Sequence, residues 1–240
     1  MGKILLTDIG NTSIHFKLYD EQKNIYLTEN RFYINEKIKF SSFINKGIVD
    51  EIVYSSVVPK LSKKLINFAN KKGIKIRSIK DFKSINYKKF NIENTNELGA
   101  DFVAYFHAMN NKKNHIIISL GTATTLSVIC NKKFEGAIIM PGIKTSLYSL
   151  INKAALLKTS NFHFSNQIIG KNTAEAINIG SINSHYYAIE KNIELIKQNM
   201  KIDEVIFTGG NAYLLNEKIK EKYILDEDLI FKGIINIYNK

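Results

Sequence analysis

Apolar and polar positions fall into short blocks from the first residues onward. Lys3–Ile9 is an apolar run with Asp8 near its end, Gly10-Asn11-Thr12 is a turn, and in Ile14–Tyr19 the apolar Ile14, Phe16 and Leu18 alternate with polar residues. A period of two belongs to a strand with one buried face, so the pattern predicts a hairpin, and Ile25–Leu27 adds a third strand. Glu51–Val58 is rich in β-branched residues and stops at Pro59, which suits the first position of a helix. Leu61, Leu65, Ile66 and Ala69 supply the apolar face of a helix over Leu61–Asn70, and Gly73 ends it. Ile74–Ile79 reads as a further strand. Strand and helix alternate, as in an α/β domain.

The second half repeats the opening. His115–Leu120 is an apolar strand, Gly121-Thr122-Ala123-Thr124 a turn, Leu126–Cys130 the returning strand and Phe134–Met140 a third, ending at Pro141-Gly142. Asp8-Ile9-Gly10-Asn11-Thr12 and Ser119-Leu120-Gly121-Thr122 share one order: polar, apolar, glycine, threonine-bearing turn. The two glycines lie 111 residues apart (121 − 10). A hairpin repeated about half a chain later predicts duplicated lobes, residues 1–112 and 113–240. Beyond it the pattern gives a long helical segment over Thr173–Met200, a short buried strand Val205–Thr208, and a helix Ala212–Lys222 after Gly209-Gly210. The tail Leu229–Tyr238 reads as a last short strand and a closing helix.

Charge changes this picture little. The net charge is +12, yet of 34 basic residues only Arg31 and Arg77 are arginine. Arginine is the side chain suited to bidentate phosphate and guanine contacts, so the balance argues against a specific nucleic-acid surface. The apolar start is too short for a signal peptide, and no run reaches the roughly 18 apolar residues of a membrane span. One cysteine, Cys130, sits in an apolar run; it excludes an internal disulfide and fits a reducing cytoplasm. No membrane partner is expected.

The chemistry lies in the turns. In Asp8-Ile9-Gly10-Asn11-Thr12 the glycine lets backbone N–H groups approach an anion, Asn and Thr add neutral donors, and Asp8 can hold magnesium beside a triphosphate. A capped hairpin turn would use the same residues. Asp101 follows Leu98-Gly99-Ala100 at the start of a helical run, Phe102–Met109, where the helix dipole is expected to keep it ionised. It can then orient a hydroxyl and accept its proton, or simply cap the helix. His107 and His115 fit structural positions and lack metal-ligand spacing.

Six ordered motifs together are similar to those of type III pantothenate kinases. They are Asp8-Ile9-Gly10-Asn11-Thr12, Leu98-Gly99-Ala100-Asp101, Gly121-Thr122-Ala123-Thr124-Thr125, Gly136–Gly142, Asn172-Thr173-Ala174-Glu175-Ala176-Ile177 and Thr208-Gly209-Gly210-Asn211-Ala212. The resemblance implies a duplicated actin-like (ribonuclease H-like) α/β fold, a homodimer, and transfer of the ATP γ-phosphate to pantothenate, the first step toward coenzyme A. It also implies magnesium and, in the family, a monovalent cation such as potassium or ammonium. It assigns nucleotide contacts to Asp8, Ile9, Gly10, Asn11, Thr12, Ser13, Ile14, His15 and Thr122. Gly99, Ala100, Asp101, Phe102 and Thr173 would line the pantothenate pocket, with Asp101 as base. Two positions depart from the family pattern: Phe102 stands where the family has arginine, and Ser119 where an aspartate helps to hold the monovalent cation. Another small-molecule kinase, or a catalytically silent binding protein on the same fold, stays open beside this reading.

Overall fold

The computed structural model describes residues 2–34, 40–42, 44, 47–109, 112–153 and 162–240. The first elements are strands β1 (Lys3–Ile9), β2 (Ser13–Asp20), β3 (Ile25–Tyr33) and β4 (Glu51–Ser56), helix α1 (Pro59–Lys72), strand β5 (Lys75–Ser78) and helix α2 (Ala100–Ala108). Strands β6 (His115–Leu120), β7 (Ala123–Cys130) and β8 (Lys133–Pro141) follow, then helices α3 (Ile143–Lys153), α4 (Thr173–Asn178) and α5 (Ser184–Asn199). The chain closes with β9 (Glu204–Thr208), α6 (Asn216–Lys222), β10 (Ile224–Leu225) and α7 (Leu229–Tyr238). Two compact units result. One is drawn from Met1–Lys88, Glu93–Met109 and Asp228–Lys240, the other from Lys89–Ile92 and Asn110–Glu227.

In the first unit the sheet order is β3-β2-β1-β4-β5. One face carries Leu5, Ile9, Ile14, Phe16, Leu18 and Ile52, which pack on Leu65 and Ala69 of α1. Helices α2 and α7 lie against each other and against β1 and β4. Pro59 opens α1 and Gly73 closes it in a left-handed C-cap, as the sequence predicts.

In the second unit the order β8-β7-β6-β9-β10 repeats the first. In both sheets the first strand pairs antiparallel with the second and parallel with the fourth, so the duplication is structural. Register refines it. Asp8 faces His15, and Ser119 faces Thr125 in the equivalent place. The offset is 111 on the first strand (119 − 8) and 110 on the second (125 − 15), so the second hairpin turn is one residue shorter. Ile116, Ile118, Leu120 and Leu126 pack on Ile189 and Ile193 of α5, as the first sheet packs on α1.

Several element boundaries differ from the sequence reading. The third strand runs to Tyr33, held by its register with β2. Strand β5 stops at Ser78, whose side chain caps a 3-10 turn, Ile79–Asp81. The segment Thr173–Met200 is interrupted by a π-helical turn at Ile179–Asn183. Ala212–Leu215 is a 3-10 turn ahead of α6, and the helix α3 after Gly142 was not expected. The tail is helical throughout Leu229–Tyr238, because Ile230, Phe231, Ile234 and Ile237 are buried at helical spacing; the short strand precedes it as β10. Cys130 is buried. Among the described residues no helix is long and apolar enough to cross a membrane.

Candidate functional site

Partners in register share a face of the sheet. Arg31, His15 and Asp8 therefore form one polar row across β3, β2 and β1, and Ser55 of β4 continues it. His15 is buried with both ring nitrogens engaged. Its Nδ1 accepts from an Arg31 guanidinium N–H at 3.0 Å, and its Nε2–H donates to Glu29 Oε1. These partners define a neutral tautomer. Burial, then the Arg31 charge, push the His15 pKa down to about 4.

The next row repeats the arrangement with a cation. Lys17 is buried, 2.9 Å from Glu29 and 2.5 Å from Asp228, and its ammonium lies 5.3 Å from the centre of the Phe231 ring. Burial works against that charge, but the hydrogen bonds to Asp228 and Glu29 outweigh it and raise the Lys17 pKa. Phe231 also meets the His15 ring edge-on, at 4.7 Å between centroids. The start of α7 is thus bound to β2 by one ion pair and two ring contacts.

The turn after β1 is held by backbone bonds from Gly10 N–H to Ser13 O (3.0 Å) and from Ile34 N–H to Thr12 O (2.9 Å). Asn11 and Thr12 are exposed at its tip, while Ile9 and Ile14 are core residues beneath it.

Asp101 sits in the first turn of α2, after Gly99 as N-cap. Its carboxylate accepts from the backbone N–H of Phe102 and from its own, yet Oδ1 is buried with no hydrogen bond. A Cβ on Gly99 would stand 2.3 Å from that Oδ1, so the glycine leaves the space into which the carboxylate folds. Burial works against the helix dipole: it outweighs the N–H bonds and raises the Asp101 pKa. Asp8 responds in the same sense. Burial first, and the Asp101 charge second, lift its pKa to about 7, with Arg31 opposing. Asp8 and Asp101, 93 residues apart in sequence (101 − 8), are electrostatic neighbours. Among the described residues no three His, Cys, Asp or Glu side chains gather. Asp8, a carboxylate near the end of β1 just before the Gly10 turn, fits magnesium, which binds one or two carboxylates and keeps its remaining positions for water and phosphate.

In the second unit three turns meet at one end of the sheet. Thr122 O accepts from Gly142 N–H at 3.0 Å and from Thr145 Oγ1 at 2.6 Å. Asn211 donates from Nδ2 to Gly121 O and from its backbone N–H to Leu120 O, both at 2.9 Å. Gly209 has φ +98°, and a Cβ there would lie 2.6 Å from Leu120 O, so only glycine lets β9 turn so close to β6. Ser119 stands on β6 between Thr125 and Thr208. Thr173 opens α4 after the Asn172 N-cap, whose side chain accepts from Glu175 N–H at 3.0 Å. It lines a cavity of about 560 Å³ with Leu150, Lys171, Ala176 and Ile177.

The structure thus gathers Asp8, Gly10, His15, Gly99, Ala100, Asp101 and Phe102 in one unit, and Ser119, Thr122 and Thr173 in the other. Sequence reasoning missed Arg31 and Glu29. Both lie on a strand read as three residues long, and only the rarity of arginine marked Arg31.

Comparison with known proteins gives a consistent result. A sequence model described as type III pantothenate kinase matches residues 4–195. A type III pantothenate kinase of Pelagibacter ubique is 32% identical over 244 residues, covering 97% of each chain. Among solved structures, a candidate Baf family transcriptional activator from Campylobacter jejuni aligns with TM-score 0.64 and 22% identity, over 98% of this chain and 97% of that one. Lmo2764 of Listeria monocytogenes, named as a candidate N-acetylmannosamine kinase, aligns with TM-score 0.51 and 11% identity over 99% of each. The two structural likenesses establish the duplicated actin-like α/β fold.

Proposed function

Because the chain belongs to the type III pantothenate kinase family, we propose that it transfers the γ-phosphate of ATP to the primary hydroxyl of pantothenate. The observation that carries the reading is Asp101: a carboxylate with one buried, unpartnered oxygen, in electrostatic contact with Asp8 beside the phosphate-type turn Gly10–Ser13. Its Oδ1 takes the proton of the acceptor hydroxyl as the new O–P bond forms and the bond to the β-phosphate oxygen breaks, releasing ADP. The raised pKa makes Asp101 a stronger base than an ordinary aspartate. Gly10, Asn11 and Thr12 hold the phosphates through backbone and side-chain donors. Asp8 would hold magnesium, which neutralises phosphate charge when bound.

The family resemblance adds Thr122 as a nucleotide contact and Thr173 as a pantothenate contact, and Thr173 lines a cavity within the second unit. The family resemblance further supports a cytoplasmic homodimer, which light scattering of the purified protein tests. Phe102 favours one competing reading. An apolar ring beside the reacting carboxylate, in place of a cation, fits an acceptor that lacks a carboxylate at that point.

A coupled assay of ADP release across pantothenate and related hydroxyl compounds decides between them. ADP released in equal amount to phosphorylated pantothenate is the expected result. Release only with uncharged acceptors would reassign the substrate, and none with any acceptor would leave a binding protein.

A further inference from the structure

Arg31 and Arg77 have different surroundings. Arg77 is bound to the buried Glu51, and its guanidinium lies 4.2 Å from the centre of the Phe82 ring, so its charge is neutralised within the fold. Arg31 is exposed and pairs with no carboxylate among the described residues; its partner is the neutral ring of His15, at 3.0 Å. A neutral acceptor orients a guanidinium without cancelling its charge. Two more facts set the direction in which that charge points. Arg31 lies two strands from Asp8 in the same row, about 10 Å between backbones, and its guanidinium bonds His15 on the intervening β2, so the side chain reaches inward over that strand. The strand that carries it ends at the phosphate-type turn, where Ile34 N–H bonds Thr12 O.

From this placement we infer that Arg31 is a further nucleotide-binding residue, its guanidinium engaging the outer phosphates of ATP at the Gly10–Ser13 turn, with Glu29 and His15 as positioning residues behind it. A guanidinium matches phosphate oxygens in a bidentate fork, and a cation also offsets the charge that Asp8 and Asp101 place beside a triphosphate. His15 contributes through Arg31: both its nitrogens are occupied, and it is buried between Phe231 and the sheet. Glu29 is itself steadied by Lys17, which joins this row to α7. The inference rests on the kinase reading above and adds the residue that would grip the outer phosphates.

The test is calorimetric binding of ATP and ADP with magnesium, and of AMP, to the full chain and to the Arg31→Ala and Arg31→Lys variants. Loss of charge-assisted bonds predicts that Arg31→Ala weakens ATP by about one to two orders of magnitude. The expected loss is smaller for ADP and absent for AMP, with Arg31→Lys recovering part of it and the KM for ATP rising more than kcat falls. A structural role would weaken all three nucleotides alike. That outcome, or ATP affinity unchanged in Arg31→Ala, overturns the inference while leaving the kinase reading intact. Failure of the unaltered protein to bind ATP overturns both. Arg31→Ala also leaves the buried His15 Nδ1 without its donor, so a somewhat lower melting temperature is expected, and AMP affinity kept in the variant separates lost phosphate contact from lost fold.

Discussion

At the scale of single residues, burial makes both Asp8 and Asp101 harder to ionise, the Asp101 charge adds to the effect at Asp8, and His15 in the same row as Asp8 is held neutral. Removing the Asp101 charge without changing its shape isolates the chemical step. Asp101→Asn is expected to lower kcat by about 10²–10⁴ with ATP affinity nearly unchanged, and a kcat close to the original would remove it from the reaction. Asp8 makes a second, thermodynamic prediction. Its pKa rises from 3.8 to about 7 on folding, so the folded state holds a proton that the unfolded state has already released. The stability this group contributes is full below the unfolded pKa and is lost as pH rises through about 7. His15 runs the other way: its folded pKa of about 4 lies below the usual 6.5, so its contribution is lost as pH falls through that window. Comparing Asp8→Asn with the unaltered protein cancels the His15 contribution. Without magnesium, the variant should melt higher than the unaltered protein at pH 8, and the advantage should shrink steadily toward pH 5. A difference that is flat with pH would mean that Asp8 is ionised throughout.

At the scale of elements, α7 is what keeps the polar row in place. Phe231 is fully buried, touches the His15 ring and lies under Lys17, while Asp228 pairs with Lys17 at the start of the same helix. Deleting a large buried ring leaves a cavity that a packed sheet and two helices fill poorly. Phe231→Ala should cost about 3–5 kcal/mol, read from the denaturant midpoint at constant slope, and a loss below 1 kcal/mol would show that α7 packs loosely there. The helix itself was half legible. Its apolar residues were visible in the sequence, but a run this apolar is compatible with either strand or helix until its neighbours are known. Packing against α2 settled it. The π-helical turn at Ile179–Asn183 was not legible at all, because it leaves the apolar spacing on either side nearly unchanged.

At the scale of the whole molecule, duplication sets two equivalent positions to different chemistry. Asp8 faces His15 in the first sheet, and Ser119 faces Thr125 in the second. A serine hydroxyl is a neutral ligand, and hard cations bind through the summed charge and number of oxygens around them. Turnover is therefore expected to be nearly the same in sodium, potassium and ammonium at constant ionic strength, and Ser119→Asp is expected to create a potassium response. A strong potassium requirement in the unaltered protein would contradict this and show that carbonyl oxygens suffice.

The sequence by itself determined the class of fold, the two hairpins and their repeat, and the ordered motifs that carry the family resemblance. Those signals are local: strand alternation, a glycine at a turn and a proline at a helix start act within a few residues of where they are written. It also singled out Asp8 and Asp101, since a carboxylate at a strand end or in a first helical turn is visible in one dimension. Tertiary structure alone decided what surrounds them. Burial raised the Asp101 pKa against the helix dipole, and the shorter second turn shifted one offset from 111 to 110. Strand register set Arg31 beside His15 although 16 residues separate them in sequence, and the packing of α7 brought Asp228 to Lys17 across 211. Pairing across strands and between helices depends on which surfaces meet, and no local pattern of residues carries that information.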